Sequence, residues 1–288
     1  MGREIPGVKP SNANKSSTDH ISVSKTSVDG RKNKKVQMRY ITHDSVYLCL
    51  QNNLIKLIRL INSTSILELG FGGVQTAVKV AEKYSKKTVT VVNTDAEMTN
   101  QANELVHSKK LTNITIMHDD VENFVKNKNK LGEFDFIYLL YNFHHIHDSS
   151  DKKREKVDFL INCYDNMKSG SYLCIADVFL PESCQEERLV TDRSLKALYD
   201  QRAKETEALT FWNDLKGVDY DEVHAAVKDA RDSGQRELKS LVNIKTKANE
   251  YLVKKSWVVE NAENGKFSVL INEDVNNIGD AILLLKKI

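Results

Sequence analysis

The chain has 288 residues, 40% of them apolar, with 42 basic side chains against 40 acidic ones. That balance suits a folded domain with a sizeable core and excludes a disordered polyelectrolyte. No apolar run approaches the roughly 20 residues that a membrane-spanning helix needs, and the polar N-terminus lacks the apolar core of a secretory signal. Four cysteines (Cys49, Cys163, Cys174 and Cys184) form neither a C-x-x-C pair nor a dense framework, so they read as reduced, small apolar residues of a cytoplasmic protein.

Charge is unevenly placed. Residues 1–42 carry nine Lys/Arg and three Asp/Glu, leaving the rest of the chain net acidic. The lead-in over 1–35 is rich in Ser, Asn, Lys and Gly and buries little surface, so a solvated segment is expected there, with Arg31–Arg39 as its basic run. A helix follows at 44–61, where Leu50, Leu54, Leu57, Ile58 and Ile61 recur at helical spacing. The chain then alternates. Strands are expected at Ser65–Leu69, Thr88–Val92, Ile114–His118, Phe134–Leu140 and Tyr172–Phe179, and helices at Val74–Tyr84, Glu97–Lys109 and Glu155–Met167. Nearly continuous apolar strands between helices mean a parallel sheet covered on both faces. After Pro181 the character changes: residues 182–255 hold 14 basic and 15 acidic residues, helical patterns and no convincing strand. The sheet is expected to resume at Trp257–Val259 or Phe267–Ile271 and to end with Ala281–Leu285.

Glu68-Leu69-Gly70-Phe71-Gly72-Gly73 takes a strand through a glycine-rich turn into a helix, at the carboxyl edge where α/β sheets bind ligands. A dinucleotide fingerprint needs a glycine where Gln75 stands, and a P-loop needs a Gly-Lys-Ser/Thr triplet that does not occur. The acidic Glu68 disfavours phosphate and suits a ligand with a cationic amino group. On these residues the chain resembles the class I methyltransferases, which carry an acid and then G-x-G-x-G after the first strand; Val74 replaces the last glycine here. The resemblance covers roughly residues 40–181 and implies S-adenosyl-L-methionine as cofactor. By the same resemblance Asn93 stands where the family has the acid that binds the ribose hydroxyls, with Thr94 and Asp95 beside it. Thr94-Asp95-Ala96-Glu97 also reads as a helix-capping box. His118-Asp119-Asp120-Val121 is similar to the family's adenine clamp, which assigns Asp120 and Val121 to the base. The run Phe134–Leu140 into Tyr141-Asn142-Phe143-His144-His145 looks like the fourth strand and His-His turn of small-molecule methyltransferases of the ubiquinone- and menaquinone-pathway type.

The implied fold is α/β and Rossmann-like: a mostly parallel seven-stranded sheet flanked by helices, with a helical cap between strands 5 and 6. The implied organisation is a polar basic segment (1–40), a cofactor-binding core (41–181), a cap that shapes the acceptor site (182–255) and C-terminal strands completing the sheet (256–288). The expected cofactor residues are Glu68, Gly70, Gly72, Gly73, Asn93, Thr94, Asp95, Asp120, Val121 and Asn142.

A sulfonium methyl donor is already reactive, so the chemistry needs an oriented nucleophile, exclusion of water and a base only when the nucleophile starts protonated. Candidate catalytic residues are Tyr141, His144 and His145, with Asp177 at the end of the fifth strand. His144, His145, His147 and Asp148 are too closely spaced to converge on one ion, so no metal is expected. Tyr199, Arg202, Phe211, Trp212, Tyr220 and His224 are the cap's candidates for a planar or cationic acceptor, and Tyr40 a candidate cover for the cofactor. The Asn-Phe-His-His sequence lacks the Pro-Pro that nucleic-acid amino-methyltransferases use at this point, which argues against a nucleic-acid partner. The expected partner is a small-molecule methyl acceptor, and a homodimer is compatible with the chain. Two further readings stay open: methylation of a macromolecule (tRNA or protein), with the basic segment as an electrostatic handle, and a non-catalytic cofactor-binding protein on the same fold, kept in play by Val74 and Asn93.

Overall fold

The computed structural model describes residues 45–70, 74–146, 152–180, 182, 252–275 and 279–288. Helix α1 (Ser45–Ile61) buries Leu50, Leu54 and Ile58 completely, one turn apart, as the helical spacing requires. Then come β1 (Ser65–Leu69), α2 (Gln75–Lys83), β2 (Thr88–Asn93), α3 (Ala96–Ser108), β3 (Ile114–His118) and two short helices, α4 (Val121–Val125) and α5 (Lys128–Leu131). β4 (Phe136–Leu140) leads through a 3₁₀ turn at Phe143–His145 to α6 (Lys152–Asn166) and β5 (Tyr172–Val178), and α7 (Lys255–Asn264), β6 (Phe267–Asp274) and β7 (Asp280–Lys287) finish the chain.

The seven strands lie in the order β3-β2-β1-β4-β5-β7-β6. The first five pair in parallel, while β7 runs antiparallel to both β5 and β6. Strand alternation explains the continuous apolar runs. Leu67, Leu69, Ile137, Leu139, Leu173 and Ile175 face one core, with α4, α6 and α7. Ile66, Phe136, Tyr138, Leu140, Cys174 and Ala176 face the other, with α1, α2 and α3.

Strand register is clamped at the edge opposite the glycine turn. Asp135 Oδ2 accepts from the Thr64 amide (3.0 Å), the Thr64 hydroxyl (2.7 Å) and the Ser65 amide (3.1 Å), and Asp135 also pairs with Lys168. Burial works to raise this carboxyl, but Lys168 and the Thr64 and Ser65 donors outweigh it and hold the pKa well below the usual range. The clamp sets Glu68 opposite Tyr138 in the β1–β4 register.

One expected strand is a helix. Trp257–Val259 lies inside α7, because Val258 and Ala262, four residues apart, bury together against the sheet while β6 begins only at Phe267. The C-terminal segment over 256–288 therefore contains a helix as well as strands. Helices α4 and α5, not expected from the sequence, are each about one turn long and are capped by Asp120 and Asn127. The expected lead-in over 1–40 and most of the expected cap over 182–255, with Tyr199, Arg202, Phe211, Trp212, Tyr220 and His224, lie outside the described residues, as do Tyr40 and Cys184. Where the insertion attaches is described. The Leu180 amide donates to the Val253 carbonyl (2.9 Å), so the chain leaves and re-enters at one point beyond the carboxyl end of β5.

Gly279 adopts φ +93, and a Cβ there would lie 2.3 Å from the Phe179 carbonyl oxygen. Gly279→Ala is expected to destabilise the fold by on the order of 2–4 kcal/mol, measured by urea unfolding. An unchanged midpoint would show that the β7 entry tolerates a side chain.

Candidate active and cofactor site

Parallel strands deliver their carboxyl ends to one edge, and the expected site residues that the structure describes collect there. Gly70 follows β1 with φ +68, and its amide donates to the Val92 carbonyl at 2.7 Å. A Cβ on Gly70 would lie 2.2 Å from the Asn142 amide nitrogen, so the tips of β1 and β4 touch through these two residues. Gly72 and Gly73 lie outside the described residues. Val74, at the head of α2, offers that helix no side-chain cap. Glu68 supplies the missing acceptor from beneath, receiving the Ala77 amide in the first turn of α2. It also accepts from the Tyr138 hydroxyl at 3.0 Å. Burial pushes Glu68 up to about 8 despite these two donors, so it is mostly protonated at neutral pH. The anionic Glu68 expected from the sequence is thus a neutral brace between strand, turn and helix.

At the tip of β2, Asn93 is buried and its Oδ1 accepts the Asp95 amide at 2.7 Å. Asp95 caps α3 by accepting the Met98 amide at 2.9 Å, and the Thr94 carbonyl meets His118 Nε2 at 3.0 Å. Asp120 caps α4 through the Asn123 amide (2.8 Å), and Val121 is buried behind it. Asp119 pairs with Lys130 at 2.7 Å. Asp95 and Asp120 therefore also order the backbone beside the edge as helix caps, the role that the capping box at Asp95 allowed.

The segment after β4 carries the densest chemistry. Tyr141 sits at φ +51, costly for a residue with a Cβ. Its hydroxyl donates to the buried Asp280 at 2.6 Å, and its ring stacks on Tyr47 with centroids 6.0 Å apart. Asn142 opens the 3₁₀ turn, and its carbonyl accepts the His145 amide at 3.1 Å. His144 is buried, with Nδ1 2.6 Å from Asp177 Oδ1; the His145 ring lies 4.0 Å from it, centroid to centroid. Asp177 is fully buried and also accepts the Phe143, His144 and Val178 amides at 2.6, 3.3 and 2.7 Å. Burial works to raise this carboxyl, but His144 and the amides prevail and keep it below the ordinary range. An ionised Asp177 only accepts, so Nδ1 of His144 carries the proton of this bond; in the neutral imidazole the lone pair is then on Nε2. Among the described residues no cluster of three His, Cys, Asp or Glu converges on a metal position.

Tyr47, Lys156 and Asp280 belong to this edge although no sequence motif singles them out. Lys156 sits in a run of charges (Lys152-Lys153-Arg154-Glu155-Lys156) that looks solvated, yet it is fully buried. Nothing in the run marks it as the buried one; α6 turns it inward together with Phe159, Leu160 and Cys163.

The Glu68 carboxyl has a testable signature. An acid with a raised folded pKa holds its proton longer in the fold, so stability falls as pH rises from about 4.5 towards about 8 and is level above that. Glu68→Gln is expected to remove that slope, worth on the order of 5 kcal/mol across the window, in urea unfolding at a series of pH values. Parallel curves for the two proteins would show that Glu68 is ionised in the fold.

The fold and edge can be set against known proteins. Residues 66–167 match the model of a methyltransferase domain. Among solved structures, the chain is similar to the mitomycin 7-O-methyltransferase MmcR, at 13% identity and a TM-score of 0.52, covering 85% of this chain and 55% of that one. It is also similar to the S-adenosylmethionine-dependent methyltransferase SibL, at 11% identity and a TM-score of 0.51, covering 82% of this chain and 54% of that one. The chain thus spans little more than half the length of these proteins, and at such identity the likeness concerns the fold. None of the curated proteins matches the chain significantly. Residues 66–167 thus match a methyltransferase domain, and they lie within a seven-stranded sheet of the order β3-β2-β1-β4-β5-β7-β6.

Proposed function

We propose that the protein transfers a methyl group from S-adenosyl-L-methionine to a hydroxyl or amine of a small molecule, with His144 accepting the acceptor's proton. The observation that carries this reading is the buried His144–Asp177 pair, whose Nδ1-bound proton leaves Nε2 as a base at the carboxyl edge of β4. Asp177 holds the imidazole in that tautomer and stabilises the positive charge it acquires.

The residues fit the cofactor. The positive-φ turn at Gly70 brings bare backbone to the edge, and amide and carboxylate side chains flank it at Asn93, Asp95 and Asp120. Such a set suits hydroxyl and amine groups and disfavours phosphate. Bound there, S-adenosyl-L-methionine supplies an activated methyl group. The chain's own part is to hold and orient. Asn93 and Asp95 take the ribose side, Asp120 and Val121 the base side, and Gly70 with Asn142 the turn beneath. Tyr141 and His145 line the approach to His144. Two buried thiols, Cys163 and Cys174, raised by burial, suit a reducing compartment, and with it the cytoplasm. Among the described residues no helix is long and apolar enough to cross a membrane.

Calorimetry with S-adenosyl-L-methionine tests the cofactor. Binding is expected for the unaltered chain, and a loss of about tenfold or more for Gly70→Ala, whose Cβ displaces Asn142, with circular dichroism unchanged. No heat at about 1 mM cofactor would remove the methyltransferase reading. The base is tested by S-adenosylhomocysteine release over a panel of phenols, alcohols and amines. His144→Gln is expected to lower kcat by about 10²–10⁴ on any acceptor found while leaving cofactor affinity alone. A variant as fast as the parent would exclude His144 as the base.

A further inference from the structure

Lys156 is completely buried on α6, and its surroundings are unusual for a lysine. Its ammonium donates to the Phe143 carbonyl at 2.6 Å and to the Ile146 carbonyl at 3.0 Å, and it lies 4.9 Å from the Phe143 ring centroid. Both carbonyls belong to the turn that carries His144. Removing an ammonium from water is expensive, so the site must return strong interactions. A methionine at this position would fill nearly the same volume without that cost.

The Phe143 carbonyl is one half of a peptide group whose other half is the His144 amide. That amide donates to Asp177 Oδ2 at 3.3 Å, and Asp177 Oδ1 receives Nδ1 of His144 at 2.6 Å. Ammonium, peptide, carboxylate and imidazole thus form one hydrogen-bonded chain from α6 through the turn to β5 and back. A cation on the carbonyl end of a peptide polarises its N–H and strengthens the bond that the N–H makes. The Ile146 amide closes the turn onto the same Phe143 carbonyl at 3.1 Å, so the ammonium anchors the point on which the turn winds.

We propose that Lys156 is a positioning residue for the His144–Asp177 pair: its ammonium holds and polarises the Phe143–His144 peptide, which keeps Asp177 aligned on the imidazole. Lys156 touches neither cofactor nor acceptor in this role. Its relevance to methyl transfer rests on the reading that His144 is the base, whereas the relay itself is measurable without any acceptor.

The test uses the full chain with ¹⁵N-labelled histidine. A short Nδ1–H to carboxylate bond gives a low-field proton resonance, assigned to His144 by its loss in Asp177→Asn. In Lys156→Met, with circular dichroism and cooperative unfolding retained, that proton is expected to exchange with water about tenfold faster or more, or to vanish. Lys156→Arg, which keeps the charge, is expected to preserve it. Should the methionine variant fail to fold, Lys156→Gln, a neutral donor, gives the same comparison. A folded neutral variant whose low-field proton keeps its shift and exchange rate would overturn the proposal, as would equal loss in the arginine and neutral variants. Calorimetry on the same samples separates the two claims. A chain that binds no S-adenosyl-L-methionine loses the methyltransferase reading and leaves the relay standing, whereas a chain that binds it with an unchanged proton in Lys156→Met loses the relay alone.

Discussion

Four hydrogen-bond donors converge on the Asp177 carboxylate: three backbone amides and the His144 ring. A carboxylate with no exposure would ordinarily neutralise itself, and these donors are what let it keep its charge. The arrangement ties the end of β5 to the turn that follows β4, and so fixes where the turn sits over the carboxyl edge. Through Phe143 it reaches Lys156 on α6, and through Asn142, which precedes Phe143, it reaches Gly70 at the tip of β1. The edge is thereby held from three directions by groups that form no part of the sheet ladder.

The opposite constraint acts at the amino edge. Asp135 joins the start of β1 to the start of β4, and the resulting register places Glu68 against Tyr138. These two carboxyls behave differently because their surroundings differ. Asp135 is partly solvated and paired with Lys168, so it stays ionised. Glu68 is enclosed with only neutral donors, so its proton is retained to near pH 8. Charge at a sequence position is therefore no guide to charge in the fold, and the same holds for Lys156.

Most of the architecture was readable from periodicity. Strands buried on both faces have near-continuous apolar sequences, and Phe136–Leu140 and Ser65–Leu69 are of that kind. Helix α7 was not readable, because Trp257-Val258-Val259 has strand-forming composition and its helical burial depends on Ala262 meeting the sheet beside Val258. Helices α4 and α5 escaped for another reason: at about one turn each they have no periodicity to detect, and only their Asp120 and Asn127 caps mark them. At the candidate site, the positions of Gly70, Asn93, Asp120, Asn142 and His144 followed from the order of strand ends. The state of Glu68 and the burial of Lys156 did not, since each depends on partners tens of residues away or on the wrapping of a separate helix.

The sequence by itself determined the alternation of strands and helices, and with it a parallel sheet whose carboxyl edge carries a glycine turn and a His-His turn. It could do so because strand and helix burial repeat with different periods, and because a left-handed turn needs glycine. Tertiary structure alone decided the protonation of Glu68, the tautomer of His144 and the use of Lys156. Those properties are set by which donors and how little water surround each group, and only the assembled packing brings β1 to β4, the turn to β5 and α6 to the turn.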